Sequence, residues 1–484
     1  MSVTSWISRG SIVLGAVLLS PALAVASETH EGLAEMARTL PLVSVVPFVL
    51  ILLAIALLPL FAGHWWEHNR NKAIVVAIIA LPVAAYLSLA WGPAGRMLLE
   101  EKLLEYLSFI VLLTALFVIS GGIYIQGSLA GTPLVNTAFL GIGAVLANLI
   151  GTTGASVLLI RPMLRANKPR QQKTHVVIFF IFVVSNCAGL LTPLGDPPLF
   201  LGFLAGVPFE WTLRLWPQWL LVNALLLVVF NIWDQVVFDR EEKARPGSQL
   251  EEVMQHEPLG IHGKRNFLFL LGIIGIVLAS GNGLGTGGDP WPWGIQEAGM
   301  ALLAVASFVA TPALNRTRNE FVFGPIIEVA VLFVGIFITM APALAILNAW
   351  GQGARAVFGM EFGLREPWQF FWASGSLSSF LDNAPTYLTF SATAAGLEGV
   401  AAEGRFLGEF LQRGEAAARL LAAISTGAVF MGANTYIGNG PNFMVKAIAE
   451  TSGIRMPSFF GYMAYSIGIL IPIFVVVTFV FFRG

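Results

Sequence analysis

One polar stretch, SSFLDNAPT at residues 378–386, interrupts the apolar run from Phe370 to Ala395. An aspartate near the centre of a bilayer costs at least about 2.5–3.5 kcal/mol, so an acid in such a run indicates a function. Pro385 removes a backbone donor and disfavours helical geometry at Ala384. The run is therefore predicted to form two short helical arms that meet at a polar tip. The alternative is a polar kink held by neighbouring helices.

Composition places the chain among the membrane proteins. Of its 484 residues, 56% are hydrophobic and 11% are charged, whereas soluble domains carry roughly 25% charged residues. Apolar runs of about 20 residues predict membrane-spanning helices, so the fold class is an all-α polytopic membrane protein in a lipid bilayer. A net charge of −1 gives no reason to expect a nucleic-acid partner. The single cysteine, Cys187, excludes an internal disulfide and a multi-cysteine metal site.

The N-terminal segment resembles a secretory leader. Arg9 precedes an apolar run from Ile12 to Leu23, and the tripeptide Ala24-Val25-Ala26 follows. This pattern predicts a signal peptide over residues 1–26. An uncleaved N-terminal anchor is the alternative. In both cases residues 28–38 are expected outside the cytoplasm.

Apolar runs together with Lys and Arg counts predict about ten spans and two re-entrant hairpins. After three spans the chain is expected on the cytoplasmic side. The apolar segment 134–160 then leads to residues 161–173, which hold five basic residues and no acid. A segment that starts and ends on the same side must be a hairpin, and NLIGTTGAS at residues 148–156 is its predicted tip. Residues 370–395 form the second hairpin, which is predicted to enter from the outside.

Two further spans are interrupted by proline, glycine and asparagine. The interruptions are LTPLGDPPLF at residues 191–200 and GANTYIGNGPNF at residues 432–443. The first transmembrane half (41–238) and the second (266–484) therefore share the order span, hairpin, broken span, span, and a predicted cytoplasmic linker (239–265) separates them. Because the two hairpins are predicted to enter from opposite sides, the halves form an inverted-topology repeat.

The two halves also align weakly at the interruptions. Residues 192–200 and 435–443 contain Thr, Gly, Pro and Phe in the same order. At the hairpin tips, Gly151-Thr152 falls against Asp382-Asn383. Chance could produce either match, but both matches in corresponding positions support the repeat.

Paired broken helices and hairpin tips near the membrane midplane indicate a transport site. Unwound backbone exposes carbonyl oxygens that suit Na⁺, whereas half-helix N-termini suit anions. Hydroxyl, amide and carboxylate oxygens are also ligands of hard cations. The predicted ion-binding residues, with transported Na⁺ as the metal, are Thr152, Thr153, Ser156, Asn186, Thr192, Asp196, Asp382, Asn383, Thr386, Asn434, Thr435 and Asn439.

The predicted site contains two carboxylates, Asp196 and Asp382, and no lysine or arginine. This charge balance favours a cation as substrate, although Na⁺ and helix dipoles can also hold a polyanion such as citrate. A buried carboxyl group can alternate between H⁺ and Na⁺, so Asp382, Asp196 and Glu328 are candidates for proton coupling. The structural alternatives are a helix cap for Asp196, a polar kink for Asp382, an interfacial position for Glu328, and local capping for the Asn and Thr residues.

An enzyme is not expected from this sequence. An intramembrane metalloprotease would need His or Glu ligands within its spans. All six histidines fall in predicted loops or at span edges, and no H-E-x-x-H motif occurs. A channel is possible, but broken helices in an inverted repeat favour alternating access. No cofactor is expected apart from the transported Na⁺ and H⁺.

The tip SSxxDNxPT (378–386) and the Asn-Thr and Gly-Asn-Gly-Pro-Asn elements of residues 432–443 resemble the ion transporter superfamily. That superfamily includes citrate and dicarboxylate carriers, arsenite pumps and sodium/proton antiporters. The resemblance covers nearly the whole chain after residue 41 and is closest to bacterial sodium/proton antiporters of the NhaD/NhaE type, some of which are classed as citrate transporters. It implies a homodimer in the bacterial inner membrane, with a scaffold region and an elevator-type mobile region that carries the hairpins.

The hairpin tips bear on the choice of substrate. Dicarboxylate carriers of the superfamily have Ser-Asn-Thr at both tips, whereas here the tips contain Gly-Thr-Thr-Gly (151–154) and Asp-Asn-Ala-Pro (382–385). The sequence therefore predicts a secondary active transporter, foremost a Na⁺/H⁺ antiporter. The alternative is a Na⁺- or H⁺-coupled carrier of citrate or a dicarboxylate, followed by other substrates of the superfamily such as arsenite.

Overall fold

The computed structural model describes residues 32–128, 130–244, 257–287 and 291–483. The predicted leader (1–26) and residues 245–256 of the predicted linker lie outside the described residues. The helices before the linker are α1 (32–39), α2 (Val46–Phe61), α3 (Gly63–Trp66), α4 (Asn69–Ala90), α5 (Gly92–Gly121), α6 (Pro133–Ala166), α7 (Thr174–Val183), α8 (Pro197–Leu204) and α9 (Trp216–Lys243).

The helices after the linker are α10 (Arg265–Gly281), α11 (Ile295–Ala310), α12 (Ala313–Arg318), α13 (Gly324–Gly351), α14 (Pro367–Ser378), α15 (Asn383–Leu397), α16 (Phe406–Gln412), α17 (Glu415–Met431), α18 (Gly440–Thr451) and α19 (Phe459–Val477). Strands β1 (Tyr124–Ser128) and β2 (Glu257–His262) form a small antiparallel sheet in which Tyr124 lies opposite His262. Eight helical segments of the described chain are long and apolar enough to cross a membrane, and shorter apolar helices accompany them. The predicted all-α polytopic membrane fold is confirmed.

Helix α6 is folded back on itself. A straight helix of this length would extend about 50 Å, yet Asn136 near its start donates a hydrogen bond to Asn167 just after its end at 2.9 Å. The turn lies at Gly151, whose φ of 77° and ψ of 153° are open to glycine but strained for other residues. α6 is therefore the first hairpin, with its tip in the predicted segment.

Helices α14 and α15 form the second hairpin. Their polar connection covers residues 379–382, and the rings of Phe370 and Phe390 on the two arms lie edge to face with centroids 6.4 Å apart. The two arms therefore run antiparallel around the predicted tip.

The bases of the two hairpins lie at opposite ends of α13, a helix about 42 Å long. Before α13 begins, the Asn319 carbonyl accepts a hydrogen bond from Arg161 of the first hairpin at 2.9 Å. Near the other end of α13, the Asn348 amide donates to the Val400 carbonyl, just beyond the second hairpin, at 2.9 Å. We call the end of the bundle at Arg161 and Asn319 the first end, and the end at Asn348 and Val400 the second end. The sequence predicts that the first end is cytoplasmic.

The two broken helices have the same local construction. In the first break, a Cβ atom on Gly195 would lie 2.3 Å from the Gly189 carbonyl oxygen, and in the second break a Cβ on Gly438 would lie 2.5 Å from that of Gly432. In both breaks the chain therefore turns back onto itself at a pair of glycines six residues apart. Both following half-helices, α8 and α18, have proline in the first turn, where its fixed φ and missing N–H are tolerated.

Each break is also attached to the hairpin tip of its own half. Thr192 donates to the carbonyl of Asn148 at 2.5 Å, and Thr435 donates to the carbonyl of Ser379 at 2.5 Å. The two contacts are equivalent, because the sequence alignment of the two halves pairs Thr192 with Thr435 and Asn148 with Ser379. Each half therefore has its hairpin tip fixed to its own break.

Candidate ion-binding site

Asp196 lies at the point where the tips and breaks meet. It precedes α8, but its side chain makes no capping hydrogen bond, so the helix-cap interpretation does not describe it. One carboxylate oxygen accepts hydrogen bonds from the Thr152 hydroxyl at 2.7 Å and the Asn439 amide at 3.4 Å, and the other accepts from the Asn383 amide. With 1% of its surface exposed, Asp196 connects the first break to both hairpin tips and to the second break.

Asn439 is the counterpart of Asp196 in the second break. The two residues have nearly the same extended backbone, with φ and ψ of −145° and 145° at Asp196 and −155° and 141° at Asn439. The Asn439 amide also donates to the Ser185 carbonyl and to the Asn186 side-chain oxygen, both at 3.2 Å. Asn186 in turn donates to Asn442 at 2.6 Å. A carboxylate and an amide thus occupy equivalent positions and face each other.

Two side-chain oxygens near this cluster have no hydrogen-bond donor among the described residues. They are the Oδ1 atoms of Asn383 and Asn434, both in buried residues. The Asn434 amide nitrogen, by contrast, donates to the Ser379 hydroxyl at 2.8 Å. An unsatisfied buried acceptor is unfavourable, and amide oxygens are ligands for hard cations. These oxygens therefore suit a bound ion.

Asp382 and Thr386 make contacts within their own hairpin tip. The Asp382 carboxylate accepts from the Ala384 backbone N–H at 3.0 Å, which caps α15, and the Thr386 hydroxyl donates to the Asp382 carbonyl at 2.9 Å. Capping by aspartate is a common way to satisfy the first N–H groups of a helix. The contact that reaches Asp196 from this tip comes from Asn383 instead.

Of the remaining predicted site residues, some lie beside the site and one lies away from it. Ser156 shares a hydrogen bond with Ser185 at 2.8 Å, beside the first break. Thr153 lines a cavity next to the first tip. Glu328 lies elsewhere, near the start of α13, where it forms an ion pair with Lys72 at 2.7 Å.

Several residues that support the site were not among the predicted site residues. Asn148 accepts a hydrogen bond from the Leu191 N–H at 2.8 Å, and Asn442 donates to the carbonyls of Gly432 and Thr435, both at 2.9 Å. Ser379 belongs to the second tip. All three lie inside the polar stretches quoted above, so position within those stretches was the available signal. Ser185, just before the first break, gave no signal beyond being a hydroxyl residue in an apolar run.

A buried charge cluster at the first end was also missed. Asp234 of α9 pairs with Arg170 at 2.5 Å and with His175 at 2.7 Å, and it accepts from Asn136 at 2.9 Å. Asp234 and Arg170 are fully or almost fully buried. The cluster connects the base of the first hairpin to α9.

A small cavity separates Asp196 and the first tip from helices α5 and α13. Its volume is about 70 Å³, and it is lined by Asp196, Thr153, Leu116, Ile326 and Val329 among others. Such a volume holds a few water molecules, because one water needs roughly 10–15 Å³ by this measure. The lining residues of α13 belong to its first two turns, so the cavity lies on the first-end side of the site.

A polytopic helical fold in which broken helices and hairpin tips meet at a buried polar site is the architecture of a membrane transporter. The family comparison agrees with this class: residues 37–482 match the family model described as "Putative citrate transport". The chain belongs to that family. No curated protein matches the sequence. The predicted class, a membrane transporter of the ion transporter superfamily, agrees with this family, whereas Na⁺/H⁺ antiport of the NhaD/NhaE type stays a prediction.

Proposed function

We propose that the chain is a secondary active transporter that exchanges Na⁺ for H⁺, with the Asp196 carboxylate as the shared binding group. The observation that carries this proposal is the position of Asp196: it is buried where both tips and both breaks meet, and its hydrogen-bond partners among the described residues are neutral hydroxyl and amide groups. Within that part of the chain, no lysine or arginine forms an ion pair with it. A cation or a proton therefore has to balance its charge.

The exchange follows from the cost of a buried charge. An isolated carboxylate in a low-dielectric interior is strongly disfavoured. The site can cross the membrane interior only after Na⁺ or H⁺ has neutralised Asp196. Since both ions compete for one carboxylate, the site returns with H⁺ after it releases Na⁺. Asp382, at the neighbouring tip, stays the candidate for a second proton-coupling acid.

Na⁺ as substrate is supported by the donor set and by the space available. Asp196, Asn383 and Asn434 offer carboxylate and amide oxygens, two of which have no donor among the described residues. The adjoining cavity of about 70 Å³ is smaller than the roughly 300–1,000 Å³ of pockets that hold organic ligands. An inorganic cation fits this conformation better than citrate.

A carrier of citrate or a dicarboxylate is the second candidate. The family description supports it, and so do the N-termini of α8, α15 and α18, which begin beside the site. Helix N-termini bind anions through free N–H groups and the helix dipole. In that case Asp196 and the amide oxygens would hold Na⁺ as the co-transported ion.

For either substrate we propose alternating access of the elevator type in an inverted repeat. The hydrogen bonds of Asp196 and Asn439 join the two tips and the two breaks, which supports their movement as one body. Helices α5 and α13 would form the surface against which that body moves. The homodimer and the bacterial inner membrane belong to the same proposal, since they come from the family resemblance.

Reconstitution in liposomes with an imposed pH gradient tests the substrate. Na⁺, Li⁺, K⁺, citrate and succinate are added in turn while the lumenal pH is followed. Proton movement triggered by Na⁺ without an organic anion supports the antiporter. A response that appears only with a carboxylate overturns it in favour of the second candidate.

A further inference from the structure

Helix α13 packs against the second arm of the second hairpin at the second end of the bundle. The Asn348 side-chain amide donates to the Ala392 carbonyl at 2.8 Å and to the Val400 carbonyl at 2.9 Å. Asn348 is buried, and both acceptors belong to the second arm of the hairpin or the turn after it. Its two N–H groups thus hold α13 against the hairpin whose tip contacts Asp196.

Two glycines let the backbones of α13 and α15 touch beside these hydrogen bonds. A Cβ atom on Gly351 would lie 2.3 Å from the Thr393 carbonyl oxygen, and a Cβ on Gly396 would lie 2.3 Å from the Asn348 carbonyl oxygen. Real Cβ contacts are never this short, so even alanine at either position would force the helices apart. Neither glycine has a positive φ, so the requirement is for space rather than for backbone freedom.

Further contacts cover the same end. Glu101 of α5 accepts from the Gly404 backbone N–H at 2.9 Å. Arg355 donates to the carbonyls of Ala37 and Leu40 and so fixes α1 over the end of α13. A cavity of about 80 Å³, similar in size to the one beside Asp196, lies beneath α1. Contacts from α1, α5 and α13 therefore cover the second end in several layers.

We propose that the Asn348 hydrogen bonds and the Gly351–Gly396 contact form the gate that closes the second end, and that they separate when the site becomes accessible from that end. The inference rests on the proposed transport function, because alternating access requires one side to be closed while the other is open. Two donated hydrogen bonds and a glycine contact can be made and broken without leaving a buried charge unpaired. The gate would thus favour the conformation described here without locking it.

Cysteine accessibility tests the gate. Ala345, which lines the small second-end cavity, becomes a reporter through Ala345→Cys in a Cys187→Ala background. A membrane-impermeant maleimide is applied to the second-end side of oriented vesicles. Labelling should be slow with the intact gate and severalfold faster after Gly396→Ala, because the added methyl group separates α13 from α15. Gly363→Ala is the matched control, since it lies between α13 and α14 with nothing within 4 Å of its Cβ position.

A second variant keeps the test decisive if Gly396→Ala does not fold. Asn348→Leu removes both hydrogen bonds at a similar side-chain size and should also raise labelling severalfold. Unchanged labelling in a folded variant of either kind would overturn the gate. Normal Na⁺/H⁺ exchange with unchanged labelling refutes the gate alone. Faster labelling in a protein that moves only carboxylates supports the gate and refutes the antiporter.

Discussion

Asp196 and Asn439 occupy equivalent positions in the two broken helices, and the Asn439 amide nitrogen lies 3.4 Å from an Asp196 carboxylate oxygen. The φ and ψ angles of the two residues are nearly equal, but one side chain is a charged carboxylate and the other is a neutral amide. The pair places a single carboxylate at the meeting point of two similar halves.

Moving the carboxylate from position 196 to position 439 should restore part of the exchange activity that is lost when Asp196 is replaced. Asp196→Asn alone is expected to abolish exchange, because a neutral amide no longer needs a cation. The double variant Asp196→Asn/Asn439→Asp puts an acid at the equivalent position, next to residue 196, and should regain measurable exchange in liposomes. Asp196→Asn/Asn442→Asp is the control and should stay inactive, since Asn442 hydrogen-bonds to the carbonyls of its own break. A folded double variant at position 439 without any recovery would argue against the equivalence.

Removing the Thr152 hydroxyl should weaken Na⁺ binding. Thr152→Val keeps the shape of the side chain but removes the hydrogen bond to Asp196. Hydrogen bonds to charged groups contribute about 1.5–3 kcal/mol and favour the ionised carboxylate, so without this bond H⁺ should compete more strongly and the half-saturating Na⁺ concentration should rise by up to about tenfold. Initial exchange rates at varied Na⁺ concentrations measure this half-saturating concentration. Thr389→Val is the matched control, because the Thr389 hydroxyl has no hydrogen-bond partner among the described residues; equal effects of both variants would refute the role of Thr152.

The first hairpin should depend on the backbone at Gly151. Gly151→Ala places a side chain where φ is 77° and where a Cβ would lie 3.2 Å from the Leu194 carbonyl oxygen. Such a conformation costs about 1–3 kcal/mol for residues other than glycine. The melting temperature in detergent should therefore fall. Gly141→Ala lies in the first arm of the same helix, where the added Cβ makes only an ordinary contact with Leu227 at 3.7 Å. This variant should leave the melting temperature nearly unchanged. Equal melting temperatures for both variants would contradict a turn at Gly151.

Sequence pattern alone located the hairpins and the breaks. Clusters of glycine, proline and asparagine inside apolar runs disfavour continuous helices, so the tip at Gly151 and the breaks before Pro197 and Pro441 were visible locally, whereas single prolines such as Pro342 are accommodated within a helix. The pattern did not distinguish Asp196 from Asp382. Both are acids beside a helix start, and only the three-dimensional packing makes Asp382 cap its own helix while Asp196 receives partners from both halves.

Other features depend on pairs that are distant in sequence. Asp234 gave no local signal, because its partners Arg170 and His175 lie about 60 residues away in the chain. Gly351 and Gly396 resemble ordinary small residues of membrane helices. Their importance follows from a contact between two helices that the sequence does not specify.

The Asp234 cluster should behave as a coupled pair. Asp234→Asn alone leaves Arg170 buried without its counter-charge, and breaking such a pair costs about 3–5 kcal/mol. Asp234→Asn/Arg170→Gln removes both charges and should recover much of the lost stability, as measured by thermal unfolding. Arg413→Gln disrupts an exposed pair with Glu409 and should change stability by less than about 1 kcal/mol. Strictly additive losses in the double variant would show that the two charges act independently.

The most direct test of the account is Na⁺-driven proton movement by Asp196→Asn in liposomes, beside Asp239→Asn as a control for an exposed acid. The account predicts that Asp196→Asn folds but moves no protons in response to Na⁺ at any pH, whereas Asp239→Asn behaves like the unmodified protein. Exchange by Asp196→Asn at a rate close to that of the control would contradict the central role of this carboxylate.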